Sequence, residues 1–366
     1  GWFDMDKTRF RFGFPEKIGG WVKQTIKAFL GTARSLHPWV ALDGTAYLGV
    51  GTHLKYFINE GGGYSDITPI RATTTNGIVF AATDGSSTIT ATDDNHGANI
   101  GDFVTISGAA TLGGVITAGV LNQEYQVVLV PTVNTFTFVA RVADTSIGSI
   151  TTTSGLNPTP VVANSSDTGN GGSGADAAYQ VTVGLDTSLT GNGWNAGSYG
   201  RGTWNSASDT SVAGATLRIW SHDNFGEDLI INARDAGIFY WDKTNGTNTR
   251  AVELSGLASS NLAPTIAKKV LVSDADRHII AFGCDPESAI GTQDPLLIRF
   301  SSQESLTDWQ SLPTNTAGDL RIGSGSEIIS AIETRQQVLV FTDKSLHAMQ
   351  FIGPPFTFGI NAISEN

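Results

Sequence analysis

The run Asp274-Ala-Asp276-Arg277-His278 is the densest group of potentially reactive side chains in the chain. Two carboxylates beside a histidine could supply the acid and base that cleave a glycosidic bond. The same Asp-x-Asp between apolar runs is also a common polar turn, with the side chains capping the backbone, and the turn is the preferred reading. The six histidines (His37, His53, His96, His222, His278 and His347) form no His-x-x-x-His or His-x-His pair, so no local metal site is indicated. His96 and His222 lie in turn-like contexts, Asn95-His96-Gly97 and Ser221-His222-Asp223-Asn224, where hydrogen-bonded surface histidines are expected. Cys284 is the single cysteine, which excludes an internal disulfide framework and reads as a small buried apolar residue.

No Gly-x-Ser-x-Gly elbow, P-loop or dinucleotide fingerprint is present. Gly323-Ser-Gly-Ser326 precedes a strand-like run and reads as a turn. Ser301–Trp309 is faintly like the turn that packs a tryptophan under a hairpin in sialidase-type propellers, but Gln303 and Ser305 stand where Asp and Gly would be expected. Trp194, Tyr199 and Trp204 could stack on sugar rings; packing between domains or subunits is the more ordinary use of such residues. No catalytic, cofactor-binding or metal-binding residue is assigned, and no cofactor is expected. A glycan-binding β protein using the three aromatics, and a glycosidase using Asp274 or Asp276, stand as alternatives to a non-enzymatic role.

The elements that must position these residues are strands. The chain has 366 residues, 43 of them Gly, only 15 % charged and of net charge −12. That is a turn-rich β composition, and it lacks the basic footprint of a general nucleic-acid grip. No stretch is long and apolar enough for a membrane-spanning helix, and no secretory signal is visible at Gly1-Trp-Phe-Asp4. Residues 1–71 are aromatic and mixed in charge. They open with Lys7–Phe14, where alternation predicts Phe10, Phe12 and Phe14 on one strand face and Arg9 and Arg11 on the other, with turns at Pro15–Lys17 and Gly19-Gly20. Helical spacing at Ile18, Val22, Ile26 and Leu30 is weakened by those glycines.

Residues 72–188 change character. Their nine carboxylates face Arg141 alone, and Thr88–Thr92, Phe103–Ile106, Glu124–Val130 and Thr135–Val139 read as strands of an inserted Ig-like β-sandwich. Ala163–Gly174 reads as a mobile loop within it. Residues 189–215 form a Gly/Trp-rich loop. Residues 216–366 return to the first style and carry a repeat. Asp228–Asn232 with Ile238–Asp242, His278–Gly283 with Pro295–Ser301, and Gln337–Phe341 with Ser345–Phe351 are successive strand pairs. Each has an upstream apolar strand: Leu217–Trp220, Val270–Val272 and Ile328–Ile332. Trp39–Leu42, Tyr47–Val50 and Leu54–Ile58 fit the same template. Units recurring every 50 to 60 residues are the pattern of propeller blades. The fold class expected is therefore all-β, a distorted or incomplete β-propeller with an inserted sandwich.

Asp6–Trp21, Trp220–Leu229, Gly237–Asp242, Arg299–Glu304 with Trp309, Ala317–Arg321, and Phe341–Leu346 through Gly353–Phe356 follow one another in an order that resembles the tail nozzle proteins of short-tailed bacteriophages, also described as tail tubular protein B or packaged-DNA stabilisation proteins. The resemblance covers residues 1–71 and 191–366. It implies a homo-oligomeric ring of six copies in the virion tail, assembled in the host cytoplasm. Such a ring closes around the DNA exit channel, passes double-stranded DNA without sequence-specific binding, and docks a tail adaptor above and fibres or spikes below. It carries over no catalytic residue, and it implies a chain continuing beyond residue 366.

Overall fold

The computed structural model describes residues 6–20, 28–142, 159–169, 174–185, 217–273, 276–353 and 356–365. Over these residues the protein is all-β, with one four-residue α-helix, α1 (Ala118–Leu121), and a few three-residue 3-10 turns. A two-stranded hairpin, β1 (Thr8–Arg11) and β2 (Phe14–Lys17), comes first. Four antiparallel four-stranded meanders account for most of the rest. Meander I is β3 (Ala33–Val40), β4 (Ala46–Thr52), β5 (Tyr56–Glu60) and β6 (Gly63–Asp66).

An insert follows, built from β7 (Ile70–Thr74), β8 (Val79–Ala82), β9 (Thr88–Thr92), β10 (Phe103–Ser107), β11 (Glu124–Gln126), β12 (Leu129–Thr132), β13 (Thr135–Val139), β14 (Asp167–Thr168) and β15 (Asp176–Gln180). Meander II is β16 (Trp220–Phe225), β17 (Asp228–Ala233), β18 (Ile238–Trp241) and β19 (Val252–Glu253). Meander III is β20 (Lys269–Val272), β21 (Ile279–Phe282), β22 (Leu297–Phe300) and β23 (Gly318–Arg321). Meander IV is β24 (Ile328–Glu333), β25 (Val338–Thr342), β26 (Ser345–Gly353) and β27 (Thr357–Glu365).

The meanders stand in a row. β3 lies against β16, β16 against β20, and β20 against β24. A side chain links each neighbouring pair. His37 meets Asn224 at 2.7 Å, the Val270 and Val272 amides donate to Ser221 Oγ and Asp223 Oδ2, and Lys269 donates to Ser330. Strands inside such a row are buried on both faces, which explains runs that are apolar without alternation. In β17, Leu229 and Ile231 pack towards meander I while Ile230 packs towards meander III. In β21, Ile279 and Ala281 face meander II while Ile280 and Phe282 face meander IV. No meander could bury these residues alone.

The insert is a sandwich of two sheets, β11-β10-β15-β7 and β12-β13-β9-β8-β14. Phe80, Ile89, Phe136 and Phe138 of one sheet close on Val104, Ile106, Tyr125 and Tyr179 of the other. The Tyr125 and Phe138 rings lie 4.2 Å apart.

Several local expectations are corrected. The hairpin turns at Phe12-Gly13, so Phe14 returns on the second strand. There it pairs with Arg11, on the face opposite Phe10 and Pro15. Glu124–Val130 is not one strand; the chain leaves β11 for the other sheet at Val127-Val128. In the Ala163–Gly174 stretch, Ala163 is fully buried and Asp167 and Thr168 pair with β8. The upstream strand of meander II runs Trp220–Phe225, overlapping Leu217–Trp220 only at Trp220. The repeating unit has four strands, not three, because each meander adds an outer strand, short in meanders I to III and nine residues long in meander IV. The helical spacing at Ile18–Leu30 falls largely on residues 21–27, outside the described residues.

Candidate functional site

The most concentrated chemistry in the described chain lies where the insert meets meanders I and II. Lys55, in the β4–β5 turn, is fully buried. Its Nζ donates to Asp66 Oδ2 at 2.7 Å and to both oxygens of Glu124 at 2.8 Å. Arg250, in the loop before β19, lies 3.3 Å from both Asp66 and Glu124 and donates to the Thr68 carbonyl. Gln180 of β15 donates to Glu124 as well. The Phe103 ring centroid is 4.3 Å from Lys55 Nζ. Burial opposes charge on Asp66, but Lys55 and then Arg250 outweigh it, and the carboxyl stays below its ordinary range. Two cations and two carboxylates balance, as a buried cluster requires. Its partners come from five segments, so it fastens the insert to the meanders. Within it, Gln180 Oε1 is buried without a hydrogen-bond partner.

A second tie lies beside it. Asp102 accepts from the Asn99 and Val183 amides at 2.9 Å, and burial raises its carboxyl. Arg218 donates to the Thr182 carbonyl and Arg34 to that of Leu185. These bonds grip the chain as it leaves β15.

Between meanders I and II, His222 Nδ1 and the Tyr56 hydroxyl are 2.9 Å apart, and the His37 and His222 rings lie 4.8 Å apart. Burial, then His37, pushes His222 down to about 3. Neither His96 nor His222 is the surface turn histidine expected. His222 sits on β16. His96 is buried between Phe136 and Tyr179, and its Nδ1 accepts from the Ala98 amide. The sequence context hid this because the surrounding Asn and Gly mark a turn whatever covers it.

Asp276 lies in the turn before β21, and the Ser273 amide donates to the His278 carbonyl. His278 is fully buried, its ring bonded to the Ser301 carbonyl at 2.7 Å, and burial lowers its pKa. Asp274 lies outside the described residues, as do Trp194, Tyr199 and Trp204. The Ser301–Trp309 loop packs Trp309 at zero exposure under the meander, its indole donating to the Leu306 carbonyl. Arg299, also fully buried, donates to the Leu262, Asp285 and Trp309 carbonyls. Asp285 in turn accepts from Thr265 and Gly291. This arginine holds loops together and faces no open pocket. Burial pushes the Cys284 thiol up. Among the described residues no group of three or more His, Cys, Asp or Glu could hold a metal ion, and no helix is long and apolar enough to cross a membrane.

The sequence did not single out Lys55, Asp66, Glu124 or Arg250. A signal was present: Lys55 interrupts the apolar run Leu54–Ile58, and Glu124 opens the apolar run to Val130. What remains for partners is surface. The hairpin exposes three phenylalanines, and meander IV exposes Ile329, Ile332, Phe341 and Ile363.

No family model matches the chain, and no curated protein matches it. Among solved structures it is similar to the Phage phi92 endosialidase, with a TM-score of 0.25 and 10 % identity. That alignment covers 86 % of this chain and 41 % of the other, so this chain spans well under half of that structure's length. Two chains at that TM-score need share no fold.

Proposed function

We propose that this chain is a non-enzymatic structural subunit of a bacteriophage tail. In this reading it is a nozzle protein of a short tail, with the four meanders as blades of an incomplete propeller. Copies form a ring around the DNA exit channel, retain packaged DNA, and offer docking surfaces to an adaptor and to fibres.

The observation that carries this reading is where the nozzle-like motifs fall. Trp220–Leu229 spans β16 and the start of β17. Gly237–Asp242 frames β18. Arg299 and Trp309 form the buried core of the β22–β23 loop, and Phe341–Leu346 is the β25–β26 turn. The motifs are scaffold residues of the repeat, as a structural subunit requires. The buried Lys55–Asp66–Glu124–Arg250 cluster joins separate segments of the fold, which fits a structural role. Low basic content gives weak counterion release, so DNA can slide past without sticking. Particles assembled without this protein should fill with DNA and then lose it. Particles that retain their genome without it would remove the nozzle role.

A further inference from the structure

Lys55 is an amine held with two carboxylates away from water. The side chains of Lys55, Asp66 and Glu124 are 0 %, 9 % and 4 % exposed. Nζ lies 2.7 Å from Asp66 Oδ2 and 2.8 Å from both oxygens of Glu124. Burial penalises charge here. On Asp66 it is the largest single influence, and Lys55 itself is the first to oppose it. Moving one proton from Lys55 to Asp66 therefore removes both charges together. It leaves a neutral amine against a carboxylic acid, the two reactants of an amide. The Phe103 ring closes over Nζ, its centroid 4.3 Å away.

Three neighbours suit the pair to react. The Thr68 amide donates to Asp66 Oδ1 at 2.9 Å. That bond orients the carboxyl and meets the oxygen on which negative charge gathers during attack. Glu124 reaches Nζ with both oxygens, within the range a proton carrier needs. Arg250 lies 3.3 Å from Glu124 and supplies its countercharge once Lys55 is neutral. The cluster is thus charge-balanced with Lys55 and Asp66 ionised, and equally balanced with both consumed.

We propose that Lys55 and Asp66 join in an intramolecular isopeptide bond, with Glu124 carrying the proton. Lys55 Nζ, having given one proton to Asp66, attacks Asp66 Cγ. Glu124 takes a second proton from the nitrogen and delivers it to the Asp66 hydroxyl. The C–O bond breaks, one water leaves, and an Nζ–Cγ amide remains. No oxidant or co-reactant is consumed, and Glu124 ends as it began, facing Arg250. The structure describes the cluster before this step. The bond ties the last residue of β6 to the β4–β5 turn. β6 is the outer strand of meander I and leads into the insert through β7. A pull on the insert loads β6 first, and the bond stops it from peeling off β5. This inference is independent of the ring reading above.

The test uses the full chain, folded at neutral pH. Its intact mass should fall one water below that of the sequence. Trypsin should fail to cut after Lys55 and release residues 35–71 as one peptide. Breaks between residues 55 and 66 should free no fragment from that peptide, because the bond closes the loop. Asp66→Ala should restore full mass and cleavage after Lys55. Followed from the end of cell-free synthesis, Glu124→Gln should form the bond at least about 100-fold more slowly, as for loss of a general acid–base group. Near-ultraviolet circular dichroism checks that each variant keeps its fold. Full mass and clean cleavage after Lys55 in the unaltered folded protein would overturn the proposal and leave an ordinary ion cluster. A missing water with Lys55 still cleaved would be a cyclised aspartate elsewhere and would equally overturn it. A link from Lys55 to the peptide of residues 72–141 would put the bond on Glu124 and overturn the choice of Asp66. An undiminished rate in Glu124→Gln would overturn its part as proton carrier.

Discussion

Lys55 Nζ lies 2.8 Å from both carboxylate oxygens of Glu124, a residue 69 positions further along the chain. Lys55 belongs to meander I and Glu124 to the insert, so one buried ion pair bridges the two units. Removing one partner of such a pair leaves a buried charge uncompensated. Lys55→Met should therefore destabilise the protein by about 3–5 kcal/mol, read from the urea midpoint. Adding Glu124→Gln restores the charge balance, with Asp66 still facing Arg250, and should recover part of the loss. Equal stability of the single variant and the unaltered protein would show that the pair contributes nothing.

Acid should weaken the contact between meanders I and II. His222 titrates near 3 in the folded chain and near 6.5 when free. Between those values the unfolded chain binds the extra proton, so this contribution to stability is complete above about pH 6.5 and fades as pH falls towards 3. The slope for one proton is about 1.4 kcal/mol per pH unit. Asp66, held low when folded, acts in the same direction at the acid end. His222→Gln should flatten the stability profile between pH 4 and 6.5; a slope as steep as that of the unaltered protein would assign the acid sensitivity elsewhere.

A methyl group at Gly51 should disrupt the seat of Trp220. A Cβ there would sit 2.6 Å from Trp220 Cδ1, and the indole is pinned by a 2.7 Å bond to the Thr52 carbonyl. Gly51→Ala should cost roughly 1–3 kcal/mol through overpacking, visible as a lower thermal midpoint. An unchanged midpoint would mean that the indole moves freely.

The Cys284 thiol should be inert in the native protein. It is fully buried and its pKa is raised by that burial. A disulfide-exchange reagent at pH 8 should label it only after urea is added. Fast labelling of native protein would show that the meander II–III core opens readily.

These residues also show what the sequence made legible. The inner strands stood out because burial on both faces writes continuous apolar runs, such as Leu229–Ile231 and Ile279–Phe282, between Gly- and Asp-rich turns. The outer strands did not. Gly63-Tyr-Ser-Asp66 and Val252-Glu253 are short, polar and solvated on one side, so no periodicity marks them. Val127-Val128 reads as strand interior because nothing in β-propensity marks a change of sheet. Phe12 hid the hairpin turn because alternation predicted a strand residue where the backbone is left-handed. Lys55 was visible as a charge inside an apolar run, but its partner, 69 residues away, is set by tertiary packing alone.

The proposed role, a ring-forming structural subunit of a phage tail, is visible in the assembled particle. A symmetry-resolved electron-microscopy image of the protein in its particle tests it most directly. A closed ring of copies around an open channel on the tail axis, with meanders lining it, is expected. A peripheral, monomeric density away from the axis would contradict it.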